Sequence, residues 1–254
     1  MLIQGKQMHI QIEKGDIGRY VILPGDPGRC ERIARYFDEP EFLSSNREYT
    51  VWRGKLCGEP VAVCSTGIGG PSTAIALEEL VECGADTFIR VGTSGGIVDS
   101  VRGGDVVIAT AAVRQEGTTR EYMPIEYPAA ADFSVVSALH QAAKQLGYRQ
   151  HVGVIQSKDS FYGEIRPSEQ PTASMLREKW EAWKAAGVLT SEMECSTVFV
   201  VGAVRHVRCG GVLNVLWNAD TDDTLDASPE MAERGVKTAV EALKILIQQD
   251  REEK

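Results

Sequence analysis

The sequence has no apolar run that approaches the roughly 20 residues of a membrane-spanning helix. Its start, MLIQGKQMHIQ, has neither a basic stretch before an apolar block nor a small-residue cleavage site, so we expect no export signal. Basic residues are outnumbered, with 27 Lys plus Arg against 36 Asp plus Glu and a net charge of -9 in 254 residues. This balance disfavours nucleic acid and anionic membranes as partners. We expect a cytoplasmic protein in which any bound anion is held by a local cluster of positive groups.

Cysteine and histidine are few and scattered. The six cysteines have no C-x-x-C spacing, and a chain of this length folds without disulfides, so we expect reduced thiols. The four histidines form no H-E-x-x-H motif, which disfavours a zinc site.

Short β-rich runs alternate with helical stretches, which predicts the α/β class. The runs are YVIL at 20–23, YTVW at 49–52, PVAVCST at 60–66, TFIRVG at 87–92, DVVIAT at 105–110, HVGVIQS at 151–157 and GVLNVLW at 211–217. The polar, Gly-containing stretch 54–59 between the second and third runs predicts a hairpin, and therefore a mixed sheet. Because the composition is even and no linker interrupts it, we expect a single domain over 1–254.

Helix boundaries are marked at two places. Asp132 is expected to cap a helix that Gly147 ends, and Ser228 with Pro229 is expected to open the last helix. The expected buried positions are Val135, Ala138, Leu139, Ala142 and Leu146 in the first of these helices, and Val236, Val240, Leu243 and Ile247 in the last.

The segment LPGDPGR at 23–29 is the first candidate site. A strand runs into a Gly-Asp-Pro turn, where Asp26 can serve as the N-cap, Pro27 as the first helical residue, and Arg29 lies in the first helical turn. Free N–H groups, the helix dipole and a guanidinium suit a phosphate. A plain turn with a solvated Arg29 is the alternative.

A second Gly-rich junction, CSTGIGGPST at 64–73, lets the backbone turn sharply or approach a ligand closely. No Gly-Lys-Ser/Thr follows, and Ser72 occupies the position of the last glycine in a dinucleotide motif. ATP and NAD are therefore weakly supported.

The segment FIRVGTSGG at 88–96 places a charged Arg90 in an apolar strand, where burial is costly without an anionic partner. That partner is either a ligand or an internal carboxylate such as Glu48 or Asp105. The segment also matches G-x-S-x-G around Ser94, but a Gly-broken loop and a strand follow it instead of the helix that a serine hydrolase needs.

In TSEMECSTVF at 190–199, Ser191 and Glu194 have the spacing of a capping box. Glu194 therefore has a purely structural interpretation, in which its side chain bonds back to the N–H of the cap.

Taken together and in this order, PGDPGR, SNREYT, STGIGGPS, RVGTSGG, KDSFYG and SEMECS resemble the nucleoside phosphorylase-I family, most closely its uridine phosphorylase branch. The resemblance runs from His9 to the last helix. It implies a three-layer α/β/α fold with a mixed central sheet. The implied activity is the phosphorolysis of uridine to uracil and ribose 1-phosphate, with inorganic phosphate as co-substrate and no required metal or organic cofactor.

The resemblance also implies a role for each matching residue. Those expected to hold phosphate are Gly25, Arg29, Arg90, Thr93 and, from the adjacent subunit, Arg47. Those expected at the ribose are Glu192, Met193, Glu194 and the neighbour's His9, and those expected at the base are Ser94, Gly95, Phe161, Glu164 and Arg166. Arg29, Arg90, Glu194 and Arg166 are the expected catalytic residues. Family members assemble dimers into a hexamer, and some hold potassium between subunits at positions like Glu48, Ile68 and Ser72.

One position departs from the family pattern, because Glu164 replaces the glutamine that contacts the uracil edge. An ionised carboxylate only accepts hydrogen bonds and repels a departing uracil anion. Three hypotheses follow: Glu164 pairs with Arg166, which we favour; Glu164 is protonated; or the preferred base presents an exocyclic amine to it.

Other functions stay open at this stage. Purine members of the family place an acidic residue where this chain has Asn218, with Asp220 two positions on, so a purine or broad-specificity phosphorylase is the nearest alternative. A binding protein without activity is disfavoured because Arg29, Arg47, Arg90, Thr93 and Glu194 are all present. A hydrolase that uses water in place of phosphate has less need of three arginines.

Overall fold

The computed structural model describes residues 2–218, 221 and 229–252. The strands, in chain order, are β1 (Leu2–Ile3), β2 (Lys6–Gln7), β3 (Tyr20–Pro24), β4 (Asp38–Asn46), β5 (Tyr49–Leu56), β6 (Glu59–Cys64), β7 (Thr87–Gly96), β8 (Val106–Gln115), β9 (Ala129–Ala130), β10 (Gln150–Lys158), β11 (Thr190–Glu192) and β12 (Arg208–Trp217). The helices are α1 (Gly28–Ala34), α2 (Gly70–Glu82), α3 (Thr118–Tyr122), α4 (Phe133–Gln145), α5 (Phe161–Ile165), α6 (Ala173–Ala185), α7 (Cys195–Val204) and α8 (Pro229–Glu252).

The main sheet has the strand order β11-β10-β8-β12-β7-β3-β6-β5-β4, with β9 paired to β8. It is mixed, as predicted. Strands β6, β3, β7 and β12 run parallel, whereas β12 and β8 are antiparallel, as are β5 and β6. Strand β11 also pairs with the end of β7, which closes the sheet on itself through β12, β8 and β10. The carboxyl ends of β3, β6, β7 and β12 therefore meet at one edge, where α/β folds bind ligands.

Helices cover both faces of the sheet and give the predicted three layers. Helices α2 and α7 pack on one face through residues such as Leu77 and Phe199. Helices α1, α4 and α8 cover the other through residues such as Ile33, Leu139 and Leu243. Alternate residues of the central strands supply the two cores, as the period of a strand requires.

Most predicted elements are confirmed. The Asp132 carboxylate accepts from the N–H groups of Ser134 and Val135 at the start of α4, and Gly147 follows its end with φ +71°. The predicted hairpin is β5–β6, although β5 runs on through Leu56. The predicted buried residues of α8 are inside, whereas Leu146 is 36% exposed. Strand β4 was not predicted, because its acidic start, DEPE, has no strand pattern.

Three further predictions concern the start of the last helix, membrane-spanning segments and the number of domains. Helix α8 does begin at Pro229, while the expected cap Ser228 lies outside the described residues. No helix in the described part of the chain is long and apolar enough to cross a membrane. The single domain over 1–254 stays a prediction.

Candidate active site

A cleft of about 1030 Å³ opens at the carboxyl edge of β3, β6, β7 and β12. Its walls come from segments that are remote in sequence, including the turns after β3 and β6, the end of β7, helix α5 and the segment around β11. The sequence-predicted residues that line it are Gly25, Arg29, Glu48, Ile68, Arg90, Thr93, Ser94, Gly95, Phe161, Glu164, Glu192, Met193 and Glu194. The fold thus brings most of the predicted site together.

The turn after β3 forms one end of the cleft. Helix α1 begins at Gly28, with Pro27 as its N-cap, one residue later than predicted, and the Asp26 carboxylate accepts from the Gly28 N–H at 2.9 Å. Gly25 accepts from the Gly67 N–H at 3.0 Å, which joins the two turns. A Cβ at Gly25 would lie 3.2 Å from the Gly67 carbonyl oxygen, so a glycine keeps this contact unstrained.

Arg29 extends from the first turn of α1 into this end of the cleft. Burial lowers the pKa of Arg29, and the positive charges of Arg90 and Arg32 add to the effect although Asp26 opposes it. A guanidinium held beside another guanidinium is electrostatically unfavourable, so an anion between Arg29 and Arg90 would relieve the repulsion.

Arg90 is the centre of the site. Its side chain is 4% exposed; Nε donates to Glu192 at 2.9 Å and Nη2 donates to Glu194. Among the described residues, the buried Nη1 has no hydrogen-bond partner, and it lies 4.0 Å from the position of a Cβ on Gly25. Arg90 is therefore ion-paired internally, but one edge of its guanidinium remains free toward the end of the cleft.

The sequence-based choice of partners for Arg90 was wrong. Asp105 is 2.9 Å from His151 instead, and Glu48 lines the cleft without an ion pair to Arg90 among the described contacts. The observed partners, Glu192 and Glu194, are 102 and 104 residues from Arg90 in sequence, and no spacing rule links them to it.

Arg90 and its two glutamate partners shift one another's pKa values. Burial disfavours the charged form of Arg90, but the negative charges of Glu194 and Glu192 outweigh burial and raise the pKa of Arg90. Burial would raise the pKa of Glu192, yet Arg90 and the donors Ser157, Glu194 N–H and Cys195 N–H lower it below its usual range. Burial, together with repulsion from Glu192, raises the pKa of Glu194 in spite of Arg90.

The predicted capping box is also wrong. Glu194 is itself the N-cap position of α7, and its carboxylate accepts from the Gly69 N–H at 2.6 Å across the cleft wall. The carboxylate that satisfies the helix start is Glu192, which accepts from the N–H groups of Glu194 and Cys195 at 2.9 Å. The structural role thus falls to Glu192, while all three of Glu192, Met193 and Glu194 line the cleft.

Phe161 and Glu164 form the other end of the cleft. Phe161 is 51% exposed, as a surface for stacking requires, and packs edge-on against Tyr162. Glu164 is paired with Lys158 at 2.6 Å, so the pairing with Arg166 that we favoured is wrong. Arg166 ends α5, lies over the Tyr162 ring at 4.6 Å and approaches Glu169 at 3.5 Å. Within the described residues, the cleft lining does not include Arg166.

Ser94 and Gly95 belong to the last part of β7 and not to a strand-to-helix elbow. Ser94 Oγ lies 3.4 Å from the Asn214 carbonyl oxygen, and no histidine lines the cleft in the part of the chain that the structure covers. A serine hydrolase is therefore disfavoured, since no described histidine stands beside Ser94 in the cleft to act as its base. Asn218 donates to the carbonyls of Val98 and Val101, and Asp220 lies outside the described residues.

His9 and Arg47 lie together outside this cleft. Asn46 Nδ2 donates to the His9 carbonyl at 2.8 Å, which holds the N-terminal segment on the β4–β5 hairpin beside Arg47. His9 Nδ1 is 2.7 Å from Glu79, while Arg47 is exposed at the turn with φ +54°. Neither is among the described residues that line the cleft of the same chain.

The three positions expected for potassium are neighbours. Ser72 Oγ lies 3.3 Å from the Ile68 carbonyl, and the Glu48 side chain packs against Gly67. These are oxygen donors, which suit a hard cation.

Sequence reasoning missed Lys158 and Trp217, both of which line the cleft. Lys158 ends β10 and is 6% exposed. A lysine directly after the buried residues Ile155, Gln156 and Ser157 was the available signal, since lysine is rarely buried without a partner.

Comparison with known proteins identifies the family of this chain. A uridine phosphorylase of Treponema pallidum is 50% identical over 246 residues, covering 96% of this chain and 95% of the relative. A uridine phosphorylase of Escherichia coli is 41% identical, covering 94% and 97%. A guanosine phosphorylase of Halorubrum lacusprofundi is 39% identical, covering 92% and 95%. The family model of the phosphorylase superfamily matches residues 19–248, and this chain belongs to that superfamily.

Proposed function

We propose that the protein is a nucleoside phosphorylase that converts uridine and inorganic phosphate to uracil and ribose 1-phosphate. The observation that carries the proposal is the convergence, beside Gly25, of Arg29 and the Arg90 Nη1, which no described residue pairs. Two of the relatives named above are uridine phosphorylases, and they span nearly the whole chain.

Phosphate would bind at this arginine end. Arg29 and Arg90 supply positive charge, and Gly25 and Thr93 supply close backbone and hydroxyl contacts. Arg90 is oriented for this role because Glu192 and Glu194 hold its other two nitrogens. A preorganised guanidinium loses little entropy when the anion arrives.

Ribose would occupy the middle of the cleft, with its hydroxyls on Glu194 and its ring against Met193. The base would lie between Phe161 and the wall formed by Ser94 and Gly95. This order would put C1′ next to the bound phosphate.

The reaction is a substitution at C1′. A phosphate oxygen forms a bond to C1′ while the bond from C1′ to uracil N1 breaks, and the electron pair leaves with N1. The proton that phosphate loses balances the one that uracil gains. Because the ribosyl group becomes cationic as the bond breaks, the phosphate charge below C1′ stabilises the transition state, and fixed geometry lowers its entropic cost.

The site would be completed by a second subunit. His9 and Arg47 lie on a neighbouring surface and outside their own cleft, which is the arrangement expected if they enter the cleft of a partner. We propose a dimer-based, hexameric, cytoplasmic enzyme with potassium between subunits at Glu48, Ile68 and Ser72, and with no required cofactor.

A purine specificity is the second candidate. It is favoured by the carboxylate of Glu164 at the base end and by the guanosine phosphorylase relative. A carboxylate accepts hydrogen bonds from two N–H donors, which the edge of guanine presents.

The test is product formation from uridine, thymidine, cytidine, inosine and guanosine, each with and without phosphate. We expect phosphate-dependent release of uracil to be fastest. Fastest turnover of inosine or guanosine would overturn the uridine assignment, phosphate-independent turnover would indicate a hydrolase, and binding without turnover would indicate an inactive homologue.

A further inference from the structure

A buried ion pair lies at the base end of the cleft. Lys158 Nζ is 2.6 Å from Glu164 Oε2 and donates to Ser191 Oγ at 2.6 Å. Ser191 Oγ in turn donates to the same Glu164 oxygen at 2.5 Å. The Lys158 and Glu164 side chains are 8% and 10% exposed, so they are held in one arrangement.

Each member of the pair has one hydrogen-bonding position left for a ligand. Among the described residues, both contacts to Glu164 fall on Oε2, and Oε1 lies 3.4 Å from the position of a Cβ on Gly95, another residue of the cleft lining. An ammonium has three N–H donors, and the described residues engage two of those on Lys158.

The pair therefore offers an acceptor and a donor side by side with no net charge. A glutamine amide offers the same two groups. The electrostatic conflict expected for Glu164 disappears, because the ammonium at 2.6 Å offsets the carboxylate that would repel a departing uracil anion.

We propose that the Lys158–Glu164 pair recognises the imide edge of uracil, with Glu164 Oε1 accepting from N3–H and Lys158 donating to the adjacent carbonyl. This inference rests on the proposed function, since it assumes that the base lies at this end. It makes Lys158 a specificity-determining residue and leaves Arg166 without contact to the base.

The arrangement selects between bases by their hydrogen-bonding pattern. Cytosine presents a bare N3 to Glu164 and an amino group to Lys158, so both contacts become repulsive. Guanine shares with uracil an N–H beside a carbonyl, so the pair also accommodates the chemistry of the guanosine phosphorylase relative.

The first test compares three variants in phosphate-dependent cleavage of uridine. Lys158→Met leaves a buried, uncompensated carboxylate, and we expect kcat/KM to fall about 100-fold. In the double variant Lys158→Met/Glu164→Gln a neutral amide replaces the pair, and we expect recovery of about 10-fold or more over the single variant. Lys55→Met, which breaks the exposed Lys55–Glu39 pair, is the matched control and should be unchanged. A double variant as impaired as Lys158→Met, or worse, would mean that the pair only holds α5 in place.

A second measurement separates this proposal from the proposed function. Calorimetry on the wild-type protein should show binding of uracil and at least about 10-fold weaker binding of 3-methyluracil and cytosine. Phosphorolysis of 4-nitrophenyl β-D-ribofuranoside, whose leaving group has no imide, should be equal in all variants. If uracil binds selectively but uridine is not cleaved, the proposed function is wrong and the role of the Lys158–Glu164 pair in recognising uracil is supported. If uridine is cleaved but 3-methyluracil or cytosine binds as tightly as uracil, the recognition role of the pair is wrong and the proposed function is supported.

Discussion

Glu192 and Glu194 accept hydrogen bonds from two nitrogens of one buried guanidinium, yet their pKa values shift in opposite directions. Glu192 also receives two backbone N–H groups and the Ser157 hydroxyl, all of which favour its charged form. Besides Arg90, only the Gly69 N–H among the described residues donates to the Glu194 carboxylate, and Glu194 lines the cleft. Both carboxylates line the cleft, and we expect separable roles for them, Glu192 in stability and Glu194 in substrate binding.

Glu192→Gln should destabilise the protein, because it breaks a buried ion pair and removes acceptors from the start of α7. We expect a loss of about 3 kcal/mol in the free energy of unfolding, measured by urea denaturation. Unchanged stability would contradict the capping role of Glu192.

Glu194→Gln should cost activity and little stability. The folded protein raises the pKa of Glu194, so its charge is disfavoured there, and removing that charge offsets the ion pair with Arg90 that is lost. We expect unfolding within about 1 kcal/mol of wild type and a fall of about 100-fold in kcat/KM for uridine. The opposite pattern, lost stability with full activity, would assign Glu194 to the scaffold.

The strands and the Gly-rich turns could be predicted from the sequence because each depends on local pattern. PGDPGR and RVGTSGG mark the ends of β3 and β7, and parallel strands bring such ends together. The ion pairs could not be predicted, since Arg90 and its partners meet only through the closure of β11 on β7. Lys158 was missed for the same reason, because its partner Ser191 lies on β11 and Glu164 on α5.

Arg29 and Arg32 provide a matched test of the phosphate end. Both lie on α1, but Arg32 is paired with Glu233 at 3.0 Å while Arg29 faces the cleft. Arg29→Met should raise KM for phosphate at least about 10-fold, and Arg32→Met should leave it unchanged. Because the fold lowers the pKa of Arg29, its charge is disfavoured, so Arg29→Met should match or exceed wild type in Tm. Equal effects of both variants on KM would remove Arg29 from the phosphate site.

Arg47 can be tested by mixing subunits. If it serves the partner's cleft, Arg47→Met and Arg90→Met are each inactive alone, but a mixed dimer contains one intact site, with Arg90 from one protomer and Arg47 from the other. Random mixing in a two-fold dimer should restore about a quarter of the wild-type activity. The measurement is uridine phosphorolysis after co-expression of two differently tagged variants and isolation of the mixture. If both variants are inactive and mixing restores nothing, Arg47 serves the cleft of its own chain, and if Arg47→Met alone is fully active, Arg47 lies outside the site.

Asp250 should make stability depend on acid pH. It accepts from the Tyr20 hydroxyl at 2.6 Å and from Arg208 at 2.6 and 2.8 Å, which fastens α8 to β3 and β12. Burial opposes its charge, but Arg208 and Tyr20 outweigh burial and lower the pKa of Asp250, while burial and this hydrogen bond raise the pKa of Tyr20 to about 12.

A carboxylate whose pKa is lower in the folded than in the unfolded state stabilises the fold above its unfolded pKa and loses that contribution as pH falls toward the folded value. Asp250→Asn should therefore lose about 2 kcal/mol at pH 7 and show a shallower decline of stability than wild type between about pH 5 and pH 2. Urea denaturation across this range measures both effects. Asp99→Asn is the control, since Asp99 is 71% exposed in its pair with Lys184, and it should follow the wild-type curve. Parallel curves for Asp250→Asn and wild type would show that the ion pair with Arg208 does not govern acid unfolding.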